Sequence, residues 1–306
     1  MTDDDRTRAA HGPLLVLLAA ILWGTTGTAQ ALAPAGAQPM VVGALRLAVG
    51  GAGLLAVALL RGSLGDLRTW PKGRALLAGA FTAAYQLCFF AAVLKTGVAV
   101  GTIVAIGSAP VAAGILGYLF LGERPGRRWT LATFLAVTGC VLLVVTGEES
   151  VSVDPLGILL AIGAGVSYSA YTLGIKGLLP ERSSDAVVAV VFCVGALLLA
   201  PFLVAGDLSW AAEPQGLAVV LHLGLLATAL SYVLFARGLV TVPVATAVTL
   251  SLAEPLTAGM LGFLLLGEHL SFLGGVGIGL LFSGLVLLAR KTPAARPKKG
   301  AIQPSP

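Results

Sequence analysis

Long apolar runs alternate with short polar connections along almost the whole chain. Their edges place ten segments, at 13–33, 39–60, 75–94, 98–121, 129–146, 155–175, 185–205, 215–236, 243–266 and 271–289. Roughly 20 apolar residues suffice for a helix to cross the hydrocarbon core of a bilayer. The runs are continuous rather than alternating residue by residue, so they predict helices and not the strands of a closed barrel, the other fold that satisfies its backbone in lipid. The connections are too short for a second domain. The expected fold is all-α and integral to the membrane, with ten spans, and any function must lie within the helices and their short loops.

Composition agrees: 57% of the 306 residues are hydrophobic and 11% charged, and the mean hydropathy is +0.96. The net charge of +5 does not point to nucleic acid, because the basic residues sit in loops and tails. If both termini are placed in the cytoplasm, 17 of the 19 Lys and Arg fall on that side; Lys95 lies opposite and Arg46 within a span. This asymmetry follows the positive-inside rule and predicts a multi-pass protein of the cell (inner or plasma) membrane with both termini cytoplasmic. Asp3, Asp4 and Asp5, with a following run long enough to span, argue for a retained first helix over a cleaved signal peptide. Cys88, Cys140 and Cys193 lie on three different spans without CxxC or Cys/His spacing and read as small apolar packing residues.

A shift of 145 positions lays residues 90–123 over residues 235–268 with 13 of 34 pairs identical, among them Pro110/Pro255 and Gly122-Glu123/Gly267-Glu268. The same offset sets Trp23 over Tyr168. Each half, 1–146 and 147–290, then holds five spans, followed by a basic tail at 291–306. An odd number of spans per copy forces the second copy to enter the membrane in the opposite sense. Such inverted repeats build many secondary transporters, whose binding sites lie near the bilayer midplane and are marked by interrupted helices at corresponding positions. Pro110 and Pro255 are that pair and are expected to break or gate their helices, freeing the carbonyls of Ile106 and Ser251.

The ILWG of the first span, the ALRLAVGG around Arg46, and the paired stretches SAPVAAGILGYLFLGE and AEPLTAGMLGFLLLGE resemble the EamA-type transporters of the drug/metabolite transporter superfamily over about residues 13–290. The resemblance implies a ten-helix inner-membrane carrier, often an exporter of amino acids or related metabolites, working by alternating access without ATP. Independently, the sequence contains no nucleotide-binding Gly-x-x-x-x-Gly-Lys-Ser/Thr loop. It has no HExxH motif, no metal-ligating cluster and no intramembrane Ser/His/Asp set. The expectation is a carrier and not an enzyme, with no cofactor, and with a small-molecule substrate, the lipid bilayer and candidate protons as partners. Nothing in the sequence sets its oligomeric state.

Two charges fall clearly inside spans, where charge is expensive and a role is the default expectation. Arg46 lies about 10 Å deep, where a long side chain either reaches the interface or contacts substrate. Glu254 sits near the midplane and needs a cavity, a partner or a proton. It either couples proton binding to access or bonds a carbonyl freed by the proline. The first half holds Ala109 at the matching place. A partly aromatic, weakly polar pocket is expected from Trp23, Tyr85, Gln86, Tyr168, Tyr171, Tyr232 and Ser251, with Thr25, Thr26, Gln30, Ser167, Ser231 and Thr249 as further polar candidates and His222 as a packing residue. One acid and one arginine beside such a pocket suit a small zwitterion, and equally a neutral metabolite. The readings left open are an exporter, a facilitative carrier or importer, and a membrane scaffold or sensor without flux.

Overall fold

The computed structural model describes residues 3–145, 154–265 and 271–289. Glu268 and the basic tail lie outside the described residues. Ten spans follow in chain order: α1 (His11–Ala31), α2 (Pro39–Leu60), α3 (Lys72–Gly97), α4 (Val100–Leu121), α5 (Arg127–Val145), α6 (Pro155–Leu178), α7 (Ser184–Ala205), α8 (Pro214–Leu239), α9 (Val244–Leu265) and α10 (Phe272–Ala289). Their edges fall within three residues of those expected from the hydrophobic pattern. No strand occurs among the described residues.

Local signals explain where the helices begin and end. Pro39, Pro155 and Pro214 occupy first-turn positions, where a missing N–H costs nothing. Asp154 caps α6 by accepting from the N–H groups of Leu156 and Gly157, and those bonds, led by Gly157, hold its carboxyl below the usual carboxylate range. The turn from α3 to α4 is made at Gly97, whose φ of 80° and ψ of 166° are reached at little cost only by glycine.

Packing repeats with the 145-residue offset. Helices α2 and α7, which correspond to each other, pack together, and so do α5 and α10. A Cβ on Gly139 would stand 2.5 Å from the Gly277 carbonyl and 2.5 Å from the Leu281 nitrogen. The matching Cβ on Gly284 would stand 2.6 Å from the Ala132 carbonyl and 3.0 Å from the Ala136 nitrogen. Both members of this helix pair therefore need bare backbone at the crossing, as small residues allow in lipid, where apolar burial drives nothing. Likewise α3 and α4 pack on α6 while α8 and α9 pack on α1. Two four-helix bundles result: α3, α4, α6 and α7 form one, and α8, α9, α1 and α2 the other. The α5·α10 pair lies to the side.

The helices depart from regularity at specific places. Helix α1 is interrupted at Thr25, between Asp3–Gly24 and Thr26–Ala31. Helix α9 is interrupted at Ser251 and Leu252, between Val244–Leu250 and Ala253–Leu265. The Ser251 carbonyl, denied its ordinary partner by Pro255, accepts the Glu254 N–H at 2.9 Å in a tighter turn. The expectation for Pro110 differs from what is found. Helix α4 continues through it without a break. Beside it the Ser169 hydroxyl, from α6, donates to the Ala109 carbonyl at 2.7 Å and so ties α6 to α4 next to the proline. Helix α8 carries a π-helical stretch over His222–Leu230.

Candidate functional site

Between the two bundles lies a cavity of about 100 Å³. Pockets for drug-sized ligands typically measure roughly 300–1,000 Å³, so this one suits a small solute. The first bundle contributes Tyr85 and Phe89 from α3, Thr102, Ala105, Ile106 and Ala109 from α4, and Gly165, Tyr168 and Tyr171 from α6. The second contributes Trp23, Arg46, Tyr232, Val248, Ser251, Leu252, Glu254 and Pro255. Eight residues expected from the sequence to bind or pass substrate thus share one cavity, Trp23, Arg46, Tyr85, Tyr168, Tyr171, Tyr232, Ser251 and Glu254, together with Pro255. Gln86 is not among its lining and is buried on α3 instead. Its helix turns Tyr85 and Phe89, four residues apart, into the cavity.

The aromatic wall is continuous across the bundle interface. Trp23 lies 4.9 Å from Tyr232 and 6.4 Å from Tyr168 between ring centroids, and Tyr168 lies 5.9 Å from Tyr85 and 5.2 Å from Tyr171. These spacings are those of edge and tilted ring contacts. Most of its polar tips are occupied within the protein. Trp23 Nε1 donates to Ser231 Oγ at 2.8 Å. Tyr168 Oη donates to Ser251 Oγ at 2.6 Å, and Ser251 Oγ donates in turn to the Ala247 carbonyl at 3.0 Å. The Tyr171 and Tyr232 hydroxyls pair with each other at 2.7 Å.

Two charges remain for the cavity itself. Arg46 enters from α2, its Nε buried without a partner among the described residues. Glu254 enters at the interrupted turn of α9, and the two side chains line the same space. Among the described residues no salt bridge joins them. The position of Glu254 depends on α1: a Cβ on Gly24 would stand 2.7 Å from the Glu254 carbonyl and 2.5 Å from Thr257 Cβ. Gly24 therefore lets α1 seat directly against the broken turn. This gives the Trp23-Gly24 pair a shared purpose that the sequence alone did not reveal, one residue lining the cavity and the next admitting α9.

The remaining polar candidates lie elsewhere. Thr25 Oγ1 donates to the Leu22 carbonyl at 2.7 Å and lies 2.8 Å from His222 Nε2, joining the α1 interruption to the start of the π-helical stretch of α8. Thr26 Oγ1 is buried without a partner among the described residues. Thr249 accepts from Trp129 Nε1 at 3.1 Å and lies 2.9 Å from Thr133 Oγ1, tying α9 to α5. Ser167 is buried and Gln30 half-buried, and neither lines the cavity.

The cavity is closed toward the end of the bundle that carries the start of α1 and the end of α10, called here the basic end. There Val244 and Val248 of α9 pack on Ala109 and Ala113 of α4. The second part of α9, Ala253–Leu265, packs instead on α1, α10 and α5. Thr102 and Phe89 carry the cavity lining toward the opposite end.

Two inverted five-helix halves around a central cavity are an architecture common among membrane transporters. The chain belongs to the EamA-like transporter family, whose sequence model matches residues 10–145 and 155–290. It is 46% identical to the uncharacterized transporter YwfM of Bacillus subtilis over 90% of this chain and 93% of that protein. It is 34% identical to the threonine/homoserine exporter RhtA of Escherichia coli over 56% of this chain and 59% of that one. A probable terminal-alkyne amino-acid exporter of Streptantibioticus cattleyicolor is 28% identical over 79% of this chain and 82% of its own. One solved crystal structure superposes with a TM-score of 0.77 at 22% identity, covering 90% of this chain and 96% of the other, which shows the shared fold.

Proposed function

We propose that this transporter exports a small zwitterionic, amino-acid-like metabolite by alternating access, from a cell membrane in which both of its termini are cytoplasmic. The observation that carries the reading is the pairing of Arg46 with Glu254 across one aromatic cavity, without a salt bridge between them. A buried charge without a partner is expensive, and a solute carrying one charge of each sign supplies both partners at once. Arg46 takes the carboxylate, for which its planar fork is suited. Glu254 takes the ammonium, and the ring faces beside it favour the same cation. Two relatives named as exporters of threonine/homoserine and of a terminal-alkyne amino acid support this substrate class. When the solute has left, a proton is the natural partner for Glu254, which makes it the candidate for coupling export to the proton gradient.

The test is counterflow of labelled threonine and homoserine in proteoliposomes containing the wild type, Arg46→Gln or Glu254→Gln. Each charge-assisted hydrogen bond contributes about 1.5–3 kcal/mol, so each variant is expected to lose roughly ten-fold or more in apparent affinity. Wild-type flux should vary with pH and the flux that Glu254→Gln retains should not. Undiminished affinity in both variants overturns the zwitterion reading, and an unchanged pH profile in Glu254→Gln overturns the proton role.

A further inference from the structure

The bundles are joined at the basic end by two polar networks, the first largely buried and the second with exposed arginines around a buried aspartate, each crossing from one bundle to the other. In the first, Lys176, near the end of α6, donates to the carbonyls of Leu239 (3.1 Å) and Val242, where α8 leads into α9. It also lies 3.5 Å from Glu123, just past α4. Glu123 in turn accepts the N–H of Val244 at 2.7 Å, placing a carboxylate at the N-terminus of α9, where the helix dipole favours it. The Lys176 and Glu123 side chains are only 20% and 16% exposed, so solvent screens them little. In the second network Asp185, at the start of α7, accepts from Arg61 at the end of α2 and from Arg237 in the last turn of α8. The Arg237 bonds measure 3.1 and 3.3 Å. Asp185 belongs to one bundle and both arginines to the other.

The internal repeat makes the opposite end a built-in comparison, because the same structural positions recur there 145 residues away. In place of Lys176 stands Ala31, in place of Asp185 stands Met40, and in place of Arg61 and Arg237 stand Gly206 and Ala92. None of these can form an ion pair. The counterpart of Glu123, Glu268, lies outside the described residues. At that end the salt bridge between Lys95 and Asp154, at 3.5 Å, stays within one bundle, and so does the bond from Gln215 to the Leu32 carbonyl. Two copies of one fold therefore carry charged contacts between the bundles at one end and uncharged residues at the places that match Lys176, Asp185, Arg61 and Arg237.

We propose that the Lys176 and Asp185 networks are locks that hold the resting carrier closed at its basic end, so that the solute-free protein waits with its cavity open to the opposite side. Opening at the basic end separates Lys176 from the Leu239 and Val242 carbonyls, Glu123 from the start of α9, and Asp185 from its two arginines. Among the described residues no comparable set of charged contacts joins the bundles at the other end. The two states of the cycle are then unequal in energy although the repeat makes them alike in architecture. The locks regulate the cavity of the proposed function, but they depend only on how the bundles meet and not on the identity of the solute.

The test uses the full chain with Cys88, Cys140 and Cys193 replaced by alanine and a single reporter, Val248→Cys, in the floor of the cavity. A membrane-impermeant maleimide is applied to vesicles that present the basic end to the reagent. Slow labelling is expected in the parent, and labelling about ten-fold faster in Lys176→Met, the shift expected when a two-state equilibrium loses one charge-assisted network from the closed state. Lys176→Arg, which keeps the cation, should label like the parent. Asp185→Asn, which weakens the second lock, should accelerate labelling in its own right and carries the test if Lys176→Met fails to reach the membrane. Fast labelling of the parent, or equal rates in the parent and in every properly inserted lock variant, overturns the proposal. Because no solute is present, the outcome is independent of whether the zwitterion reading succeeds or fails.

Discussion

Two glycines three residues apart on α1 should respond to the same substitution with opposite signs. At Gly24 a new Cβ would stand 2.5 Å from Thr257 Cβ, 2.9 Å from Thr257 Cγ2 and 2.7 Å from the Glu254 carbonyl. Thr257 cannot readily turn aside, because its hydroxyl donates to the Ala253 carbonyl at 2.8 Å and its β-branched side chain has few rotamers. The carbonyl is backbone and moves only with α9. Helices α1 and α9 must separate at the broken turn, and overpacking of this kind costs about 1–3 kcal/mol. At Gly27, also helical, no atom lies within 4 Å of the added methyl. Alanine there should stabilise by roughly 0.5–1 kcal/mol through helix propensity. Thermal unfolding of the two variants in one detergent tests the contrast, with solute affinity measured alongside. Gly24→Ala should lower the midpoint and weaken binding, since Glu254 moves with its carbonyl, whereas Gly27→Ala should raise the midpoint and leave binding unchanged. Equal midpoints for the two variants would refute the claim that Gly24 seats α1 against the binding turn.

Other expectations follow from contacts described above. Tyr171→Phe or Tyr232→Phe alone leaves a buried hydroxyl without its partner and should cost about 1–3 kcal/mol, whereas the double variant should cost less than the sum of the two; strictly additive unfolding free energies would show that the pair is not coupled. Gly139→Ala and Gly284→Ala each force a methyl onto backbone at the α5·α10 crossing and should destabilise by about 1–3 kcal/mol in detergent unfolding. Because that crossing lies apart from the cavity, neither should change solute affinity, and a selective loss of affinity with unaltered unfolding would contradict the placement.

The spans were legible because lipid leaves the chain little choice: apolar runs of sufficient length must be helices there. The repeat was legible because Pro110 and Pro255 and the flanking glycines keep their order and spacing. What those prolines do locally was not. Both lack an N–H, yet α9 breaks upstream of Pro255 while α4 runs through Pro110. That difference has no signature in the proline itself. Glu254 and Arg46 stood out because charge within a span is costly. Gln86 also looked like a cavity residue, but polarity does not say which side of a helix faces inward. Lys176 stood only as one of the cytoplasmic cations in the positive-inside count, and Asp185 was not singled out. Their structural roles depend on α8, α9 and α2, which the order of the chain does not bring near them.

The π-helical stretch of α8 has a bearing on the repeat itself. In the first half the cavity is faced from α3 by Tyr85, whose counterpart on α8 is Leu230, yet Leu230 is 44% exposed and Tyr232 faces the cavity instead. The counterpart of Tyr232 in the first half is Leu87, which packs against the core. A stretch bonded five residues apart winds less per residue than one bonded four apart, so every side chain beyond it is set back around the axis. Here the inward position is displaced by two residues with no insertion in the sequence. A duplicated helix was thereby rephased, and two halves that still align position for position present different chemistry to the solute between them.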